Sequence, residues 1–165
     1  MEINIRPYIV NDVDAIVAIL NYYIENSTAL YDYEKRNVEV QKEVFNDKLK
    51  KGFPIIVATH NDHVVGFGYY SEFRFREAYK FTVEHSVYVA PDSHGKGIGK
   101  MLLNSLIELA KKQKLHTMIA VIDSENQNSI NFHELFGFVT VGNIKESGFK
   151  FNRWLHSVIM QLMLE

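Results

Sequence analysis

Apolar residues recur at helical spacing in the first third of the chain, after one short alternating stretch. Ile3 and Ile5 alternate with polar neighbours, which is typical of a strand. Asn11 or Asp12 can then cap a helix whose apolar residues lie three and four positions apart, namely Val13, Ile16, Val17, Leu20, Tyr23 and Ile24. A second helix is expected over residues 38–51, ended by Gly52, with three apolar residues facing inward: Val44, Phe45 and Leu49.

Strand patterns replace the helical spacing in the middle of the chain. Residues 55–59 and 64–70 are rich in β-branched and aromatic residues, and they flank His60-Asn61-Asp62-His63. The Asn-Asp pair at the centre of that segment suits a tight hairpin turn. A third strand is predicted over residues 81–89, and Pro91 ends it.

The remaining residues return to mixed helix and strand patterns. A segment with three glycines, residues 92–99, leads into a helix marked by Leu102, Leu103, Leu106, Ile107 and Ala110. We expect a strand over 118–122, a short helix over 126–136, and strands over 138–141 and 154–164. The order βααβββαβαββ combines a parallel crossover with antiparallel hairpins. It predicts an α+β fold of the three-layer α/β type, in a single domain of residues 1–165.

Charge and composition exclude several classes of function. Lys and Arg number 18 against 20 Asp and Glu, and this net charge of −2 provides no general basic field for nucleic acid. There is no Cys, so disulfides, thiolate zinc sites and cysteine nucleophiles are excluded. The His residues show no metal-ligand spacing, and no stretch is apolar enough to span a membrane. We therefore expect a cytoplasmic protein without metal, nucleic acid or membrane partners.

The three glycines indicate a site for an anion. Gly95, Gly97 and Gly99 allow the backbone to approach a ligand closely, just where a helix leaves its first N–H groups unpaired. The positive end of the helix dipole and the side chains of Lys96 and Lys100 would favour a phosphate. A flexible turn that needs glycine only for steric reasons would give the same pattern.

Two common phosphate-binding motifs do not fit this loop. A Walker A motif ending at Gly99-Lys100 would need Gly in place of His94 and Ser or Thr in place of Met101. The dinucleotide motif G-x-G-x-x-G can begin at Gly95 and Gly97, but Lys100 stands where its third glycine belongs. A P-loop or a dinucleotide site is therefore excluded.

The loop resembles motif A of the GNAT acetyltransferase superfamily, in which Gln or Arg is followed by x-x-G-x-G. The segment from His94 to Gly99 matches this motif everywhere except at its first position, where His stands. Downstream, residues 126–138 resemble the family block that begins N-x-x-S, continues with an aromatic residue and His, and ends in Gly-Phe. The resemblance implies the GNAT fold, a mixed and mostly antiparallel central sheet flanked by helices, and acetyl-CoA as the co-substrate.

The same resemblance implies which residues hold acetyl-CoA. The strand before the loop would bind the pantetheine arm through Val87 and Val89. The loop would bind the pyrophosphate through Gly95, Lys96, Gly97, Ile98, Gly99 and Lys100. Asn126 would also contact the cofactor, although an Asn taken singly at this point is more often a helix N-cap.

Acetyl transfer to an amine requires two proton carriers, because the amine must lose a proton and the leaving thiolate must gain one. Glu84 lies in an otherwise apolar strand, on the face that side-chain alternation shares with Ser86; that face could also be solvent-exposed. The segment Thr82-Val83-Glu84-His85-Ser86-Val87-Tyr88-Val89 resembles the phosphinothricin acetyltransferase branch, which implies Glu84 as the base. His133 occupies the position of the family's general acid, although a lone helical His is often only packed.

A further resemblance concerns the substrate. The run from Phe73 to Tyr79 is similar to the substrate-binding stretch of the same branch, and it contains Arg74, Arg76 and Tyr79. Guanidinium groups match carboxylate or phosphinate oxygens, although the run could also be a basic surface loop. Tyr31 falls where the branch places an aromatic residue over the substrate, and Trp154 would line the far side.

The sequence leaves three functions to compare. The first is acetylation of a small amino acid analogue such as phosphinothricin, methionine sulfone or methionine sulfoximine. The second is acetylation of protein N-termini or polyamines, which would favour an open or acidic groove. The third is a catalytically silent acyl-CoA-binding domain, against which Glu84 and His133 argue. The branch resemblance also implies a homodimer.

Overall fold

A computed structural model describes residues 2–165, so Met1 of the predicted domain lies outside the described residues. The helices are α1 (Val13–Asn26), α2 (Val38–Lys50), α3 (Ile98–Lys112) and α4 (Gln127–Glu134). The strands are β1 (Asn4–Pro7), β2 (Ile55–His60), β3 (His63–Glu72), β4 (Thr82–Val89), β5 (Thr117–Asp123), β6 (Val139–Lys150) and β7 (Arg153–Met163). Short 3-10 turns aside, this is the predicted order βααβββαβαββ.

The seven strands form one sheet in the order β1-β2-β3-β4-β5-β7-β6. Every neighbouring pair is antiparallel except β4 and β5, which are parallel and joined by the crossover through α3. The predicted mixed, mostly antiparallel sheet is therefore confirmed. The predicted hairpin between β2 and β3 turns through Asn61 and Asp62, both with positive φ, as a tight primed turn requires.

Two apolar clusters cover the two faces of the sheet and produce three layers. On one face, α3 and α4 pack on the sheet through residues such as Leu103, Leu106 and Ile130. On the other face, α1 packs through Ile16 and Leu20, and α2 contributes Phe45. Because β-strand side chains alternate, β4 contributes Val83 to the first cluster and Tyr88 to the second.

The prediction for the inner face of α2 was wrong in part. Phe45 is fully buried, but Val44 and Leu49 are 40% and 43% exposed. Gln41 is buried instead, and it lies one helical turn before Phe45 on the same face. The inward face of this helix is therefore partly polar, which apolar spacing alone does not reveal.

The hairpin of β6 and β7 is longer than predicted. The strand expected over 138–141 extends to Lys150, because it pairs along β7 even though polar residues and two irregularities interrupt its alternation. As the edge strand, β6 exposes apolar side chains, among them Val139, Val141 and Ile144. Within residues 2–165 no helix is both long and apolar enough to cross a membrane.

The parallel pair in the centre of the sheet separates along its length. Strand β4 pairs with β5 only at Thr82, Val83 and Glu84, yet it continues for five residues to Val89. Strand β5 likewise continues beyond its last paired residue, Ile119, to Asp123. We call this point the fork. Beyond it, two strand edges face each other without pairing.

Candidate active site

A cleft with a volume of 950 Å³ opens at the fork. Its walls are the unpaired ends of β4 and β5, the loop before α3, the first turns of α4, and the loop between α1 and α2. This volume is large for a small-molecule site and suits an extended ligand. The cleft gathers residues that are far apart in the sequence, from Tyr23 to His133.

The loop at one end of the cleft is built for an anion. Gly95 and Gly97 have φ values of +76° and +77°, in the left-handed region that favours glycine. Gly97 directly precedes α3, so the N–H groups of Ile98 and Gly99 lie in the first turn and have no carbonyl partner within the helix. Both residues and Lys100 line the cleft. This end of the cleft therefore presents N–H donors and the positive end of the helix dipole.

Of the two lysines predicted beside the loop, only Lys100 lines the cleft. The Nζ atom of Lys96 donates a hydrogen bond of 2.9 Å to the carbonyl of Asp92 and lies outside the lining. Lys96 thus braces the short turn before the loop, and its role in binding phosphate stays a prediction.

His94, the residue that departs from the family motif, links the loop to α1. Its Nε2 lies 2.8 Å from the hydroxyl of Tyr23, and the two rings stack at an interplanar angle of 26°. The Tyr23 hydroxyl donates to the carbonyl of Val89 at 2.7 Å. Tyr23 and His94 therefore fix the start of the loop to the end of β4. The sequence analysis placed Tyr23 only among the apolar residues of α1 and did not identify it as part of the site.

The two residues predicted to bind the pantetheine arm, and Asn126, line the cleft, and their contact with a cofactor stays a prediction. Val87 and Val89 line the cleft on the unpaired end of β4. Asn126 is the N-cap of α4, because its side-chain oxygen accepts a 3.1 Å hydrogen bond from Ser129 N–H. It also lines the cleft, and within residues 2–165 its amide nitrogen has no hydrogen bond. The two roles left open by the sequence are therefore compatible.

Glu84 lies in the cleft at the fork, as the last residue of β4 that pairs with β5. It is partly buried, and burial raises the pKa of its carboxyl above the ordinary value. The positive charges of Arg74 and Lys48 oppose this rise in pKa. A carboxylate whose pKa is moved toward neutrality suits a general base.

His133 is buried in the cleft wall, and both of its ring nitrogens contact protein atoms. Its Nδ1 lies 2.7 Å from the carbonyl of Ser129, and its Nε2 lies 3.0 Å from Nε2 of His85. The rings of Phe132 and Phe138 pack edge-on against it. The predicted general acid is thus present at the fork, but neither nitrogen is free of a protein partner.

The predicted substrate residues are not all brought together. Tyr31 lines the cleft, and its hydroxyl lies 3.2 Å from Ser157 Oγ. Arg74 and Arg76 are exposed, and their guanidinium groups stack on the rings of Phe73 and Phe75. Tyr79 and Trp154 are 41% and 57% exposed, and like the arginines they lie outside the lining. Their contact with substrate stays a prediction.

Two lysines that the sequence analysis did not identify act on residues of the cleft. Lys150 is buried, and its ammonium donates to the carbonyls of Ser27 and Leu30, which holds the loop that carries Tyr31. Lys48 lies 4.9 Å from the ring centre of Tyr69, which lines the cleft, and its charge acts on Glu84. Neither lysine belongs to a motif, so only the folded arrangement identifies them.

The part of the chain that the structure describes contains no cluster of three or more His, Asp or Glu side chains able to hold a metal ion.

The chain is similar to known acetyltransferases in both sequence and structure. Residues 16–138 match the model of the Acetyltransferase (GNAT) family. An L-methionine sulfoximine/L-methionine sulfone acetyltransferase of Pseudomonas aeruginosa is 40% identical over 100% of this chain and 96% of its own length.

Solved structures agree with that match. A GNAT superfamily phosphinothricin acetyltransferase from Sinorhizobium meliloti, in complex with acetyl-CoA, has a TM-score of 0.96 and 35% identity, covering 99% of this chain and 89% of its own. A ribosomal-protein-alanine N-acetyltransferase from Brucella melitensis also has a TM-score of 0.96, with 38% identity over 98% of this chain and 99% of its own.

Proposed function

The chain belongs to the GNAT family of acetyltransferases, and we propose that it transfers the acetyl group of acetyl-CoA to the α-amine of a small amino acid analogue. Methionine sulfone, methionine sulfoximine and phosphinothricin are the substrate types, since relatives at 35–40% identity are named for them. The observation that carries the proposal is that the same cleft contains the glycine loop at one end and Glu84 at the other.

The residues of the cleft fit acetyl-CoA. When bound, acetyl-CoA supplies an acetyl group that is activated as a thioester. The loop of Gly95, Gly97 and Lys100 would hold its pyrophosphate, and the unpaired edge of β4 at Val87 and Val89 would hold its pantetheine arm. The left-handed glycines and the free N–H groups of α3 support this placement.

The geometry of Glu84 supports its role as the general base in a direct transfer. It faces the cleft, and its raised pKa lets it accept a proton from the substrate ammonium, directly or through a water molecule. The charges of Arg74 and Lys48 favour the ionised carboxylate, because they oppose the effect of burial on its pKa.

Arg74 is the better candidate of the two arginines for the acidic end of the substrate. Its charge acts on Glu84, so a carboxylate bound by Arg74 would place the adjacent amine near the base. Arg76 carries the same charge on the same exposed segment, but it does not influence the Glu84 pKa. The two residues therefore form a matched pair for mutation.

A turnover screen that follows free thiol tests the proposal. Amino acid analogues with a free carboxylate should react, whereas their amides, decarboxylated amines and peptide N-termini should react far less. Arg74→Lys retains the charge but loses the planar fork, and should lower kcat/KM about 10- to 150-fold, the effect of one charge-assisted hydrogen bond. Arg76→Lys should have a smaller effect. Faster turnover of peptide N-termini would favour the activity named for the Brucella melitensis protein.

Exposed apolar groups support the expected homodimer. The edge strand β6 carries Val139, Val141 and Ile144, which are 60%, 53% and 52% exposed. Trp154 on the adjoining strand is 57% exposed. Such a surface is typical of a protein contact. Sedimentation of the wild type should give twice the chain mass, and a double Val139→Glu, Val141→Glu variant should shift toward the monomer.

A further inference from the structure

His85 is the first residue of β4 beyond the last pair with β5, so its side chain lies at the fork. It points away from the face that Glu84 shares with Ser86, toward α4. Its Nδ1 lies 3.2 Å from the carbonyl of Ile119, and its Nε2 lies 3.0 Å from Nε2 of His133. The second nitrogen of His133 lies 2.7 Å from the carbonyl of Ser129.

These contacts form a chain from carbonyl to carbonyl through two imidazoles. A carbonyl oxygen only accepts, so each Nδ1 needs a hydrogen, and the contact between the two Nε2 atoms needs one hydrogen between them. The chain therefore has places for three hydrogens. Two neutral imidazoles supply two.

Burial keeps the pair neutral near pH 7. It lowers the pKa of His85 to about 3, with a further contribution from the neighbouring His133, and it lowers the pKa of His133 as well. The ring of Phe138 packs against both imidazoles, and each histidine is only 7% exposed. Two hydrogens must then serve three contacts, and the longest contact, from His85 to the Ile119 carbonyl, is the one left without a hydrogen.

We propose that His85 is a positioning residue that donates its Nε2 hydrogen to Nε2 of His133 and thereby holds His133 in the tautomer with hydrogen on Nδ1. This arrangement ties α4 to β4 at the fork, beside the cleft. It also makes His133 part of the cleft wall, because neither of its nitrogens can give a proton to the cleft while both bonds are in place. The inference rests on the proposed function only where its test measures turnover.

Long-range ¹H–¹⁵N spectra of the protein without ligand test the proton positions directly. We expect His133 to carry hydrogen on Nδ1 and none on Nε2, and His85 to carry hydrogen on Nε2, with neither ring titrating between about pH 6 and pH 8, where an ordinary His changes charge. Hydrogen on Nε2 of His133, or titration of either ring in this range, would overturn the assignment. This measurement does not depend on the substrate.

Two variants of His85 distinguish the effect of its hydrogen-bond donor from the effect of its size. His85→Gln retains an N–H donor for His133, so the His133 spectrum should stay as in the wild type. His85→Leu removes the donor, so His133 should show a mixture of tautomers, and kcat should fall about tenfold, as expected for one lost hydrogen bond, with acetyl-CoA affinity retained. An unchanged His133 spectrum in His85→Leu would contradict the proposal. If His85→Leu does not fold, the wild type and His85→Gln spectra still decide it.

His133→Asn distinguishes a positioning role from an acid. Asn retains a donor at the place of Nδ1 for the Ser129 carbonyl and lacks Nε2. We expect kcat to fall about tenfold. A general acid contributes about 100- to 10,000-fold, so a loss in that range with intact acetyl-CoA binding would overturn the proposal. Failure of every substrate in the wild type would instead count against the proposed function.

Discussion

The two ends of the cleft are built from different parts of the chain. The end at the loop uses main-chain atoms, because Gly97 and the first turn of α3 present N–H groups. The end at Glu84 depends on side chains from separate elements: Tyr31 lines the cleft, and the charges of Lys48 and Arg74 act on the Glu84 carboxyl. The first end depends on backbone conformation within a few residues, whereas the second depends on how distant elements pack. Mutations should therefore act differently at the two ends.

The largest effect is expected at the loop. Gly97→Glu places a side chain on a left-handed backbone and a negative charge where the anion would lie. Acetyl-CoA should raise the melting temperature of the wild type, because it binds the folded state, and this variant should abolish that rise. Differential scanning fluorimetry with and without acetyl-CoA measures this.

Gly52→Glu is the matched control for that variant. Gly52 also has a left-handed φ, of +85°, with no atom within 4 Å of an added Cβ, and it lies outside the cleft. It should lower the melting temperature of the free protein by a similar amount and leave the shift with acetyl-CoA intact. An equal loss of the shift in both variants would show a general effect of strain.

A smaller effect, on turnover alone, is expected at the other end. Glu84→Gln preserves the shape of the side chain but removes the proton acceptor, so kcat should fall about 100-fold or more with acetyl-CoA affinity unchanged. In the wild type, kcat/KM should decline as the pH falls through the raised pKa of Glu84, and the variant should lack that decline. Glu72→Gln, on the exposed end of β3, serves as the control. Parallel loss of acetyl-CoA binding would mean that the two ends are not separable.

The buried His85 at the fork should make stability depend on pH. The pKa of His85 is about 3 in the folded protein and about 6.5 when unfolded, so the unfolded chain binds the extra proton first as the pH falls. The free energy of unfolding should therefore drop by about 2 kcal/mol between pH 7 and pH 5 from this residue. Urea titrations at the two pH values measure it, and His85→Gln should show a smaller drop. If the free energy of unfolding fell equally in the wild type and in His85→Gln, His85 would not be the cause.

The smallest effect is expected where a side chain supports the main-chain end. Tyr23→Phe removes the hydroxyl that contacts His94 and the Val89 carbonyl, while keeping the ring. Loss of one neutral hydrogen bond should weaken acetyl-CoA binding about 2- to 10-fold, with little change in the KM for the amine. Calorimetric titration measures the affinity. A larger effect on the KM for the amine would contradict the view that the loop end and the Glu84 end of the cleft act separately.

The contrast between the two ends of the cleft also explains which features could be predicted from the sequence. The loop was recognisable because Gly95, Gly97 and the start of α3 are consecutive in the chain, and the alternation of β4 placed Glu84 on one face. The succession of helices and strands along the chain also followed from apolar patterns. The contacts of Lys150 with Ser27 and Leu30 join residues 120 or more positions apart. No local pattern encodes such a contact, because it depends on how the β6–β7 hairpin packs on the loop between α1 and α2.

The separation of β4 from β5 has a consequence for the lifetime of the protein. Main-chain groups on an open strand edge attract any extended chain that can pair with them. The amides of the pantetheine arm would occupy these edges, as a missing strand would. Supply of acetyl-CoA and CoA would then govern how quickly proteases and neighbouring chains gain access to the centre of the sheet. Cells depleted of CoA should therefore degrade this protein faster than cells that are well supplied.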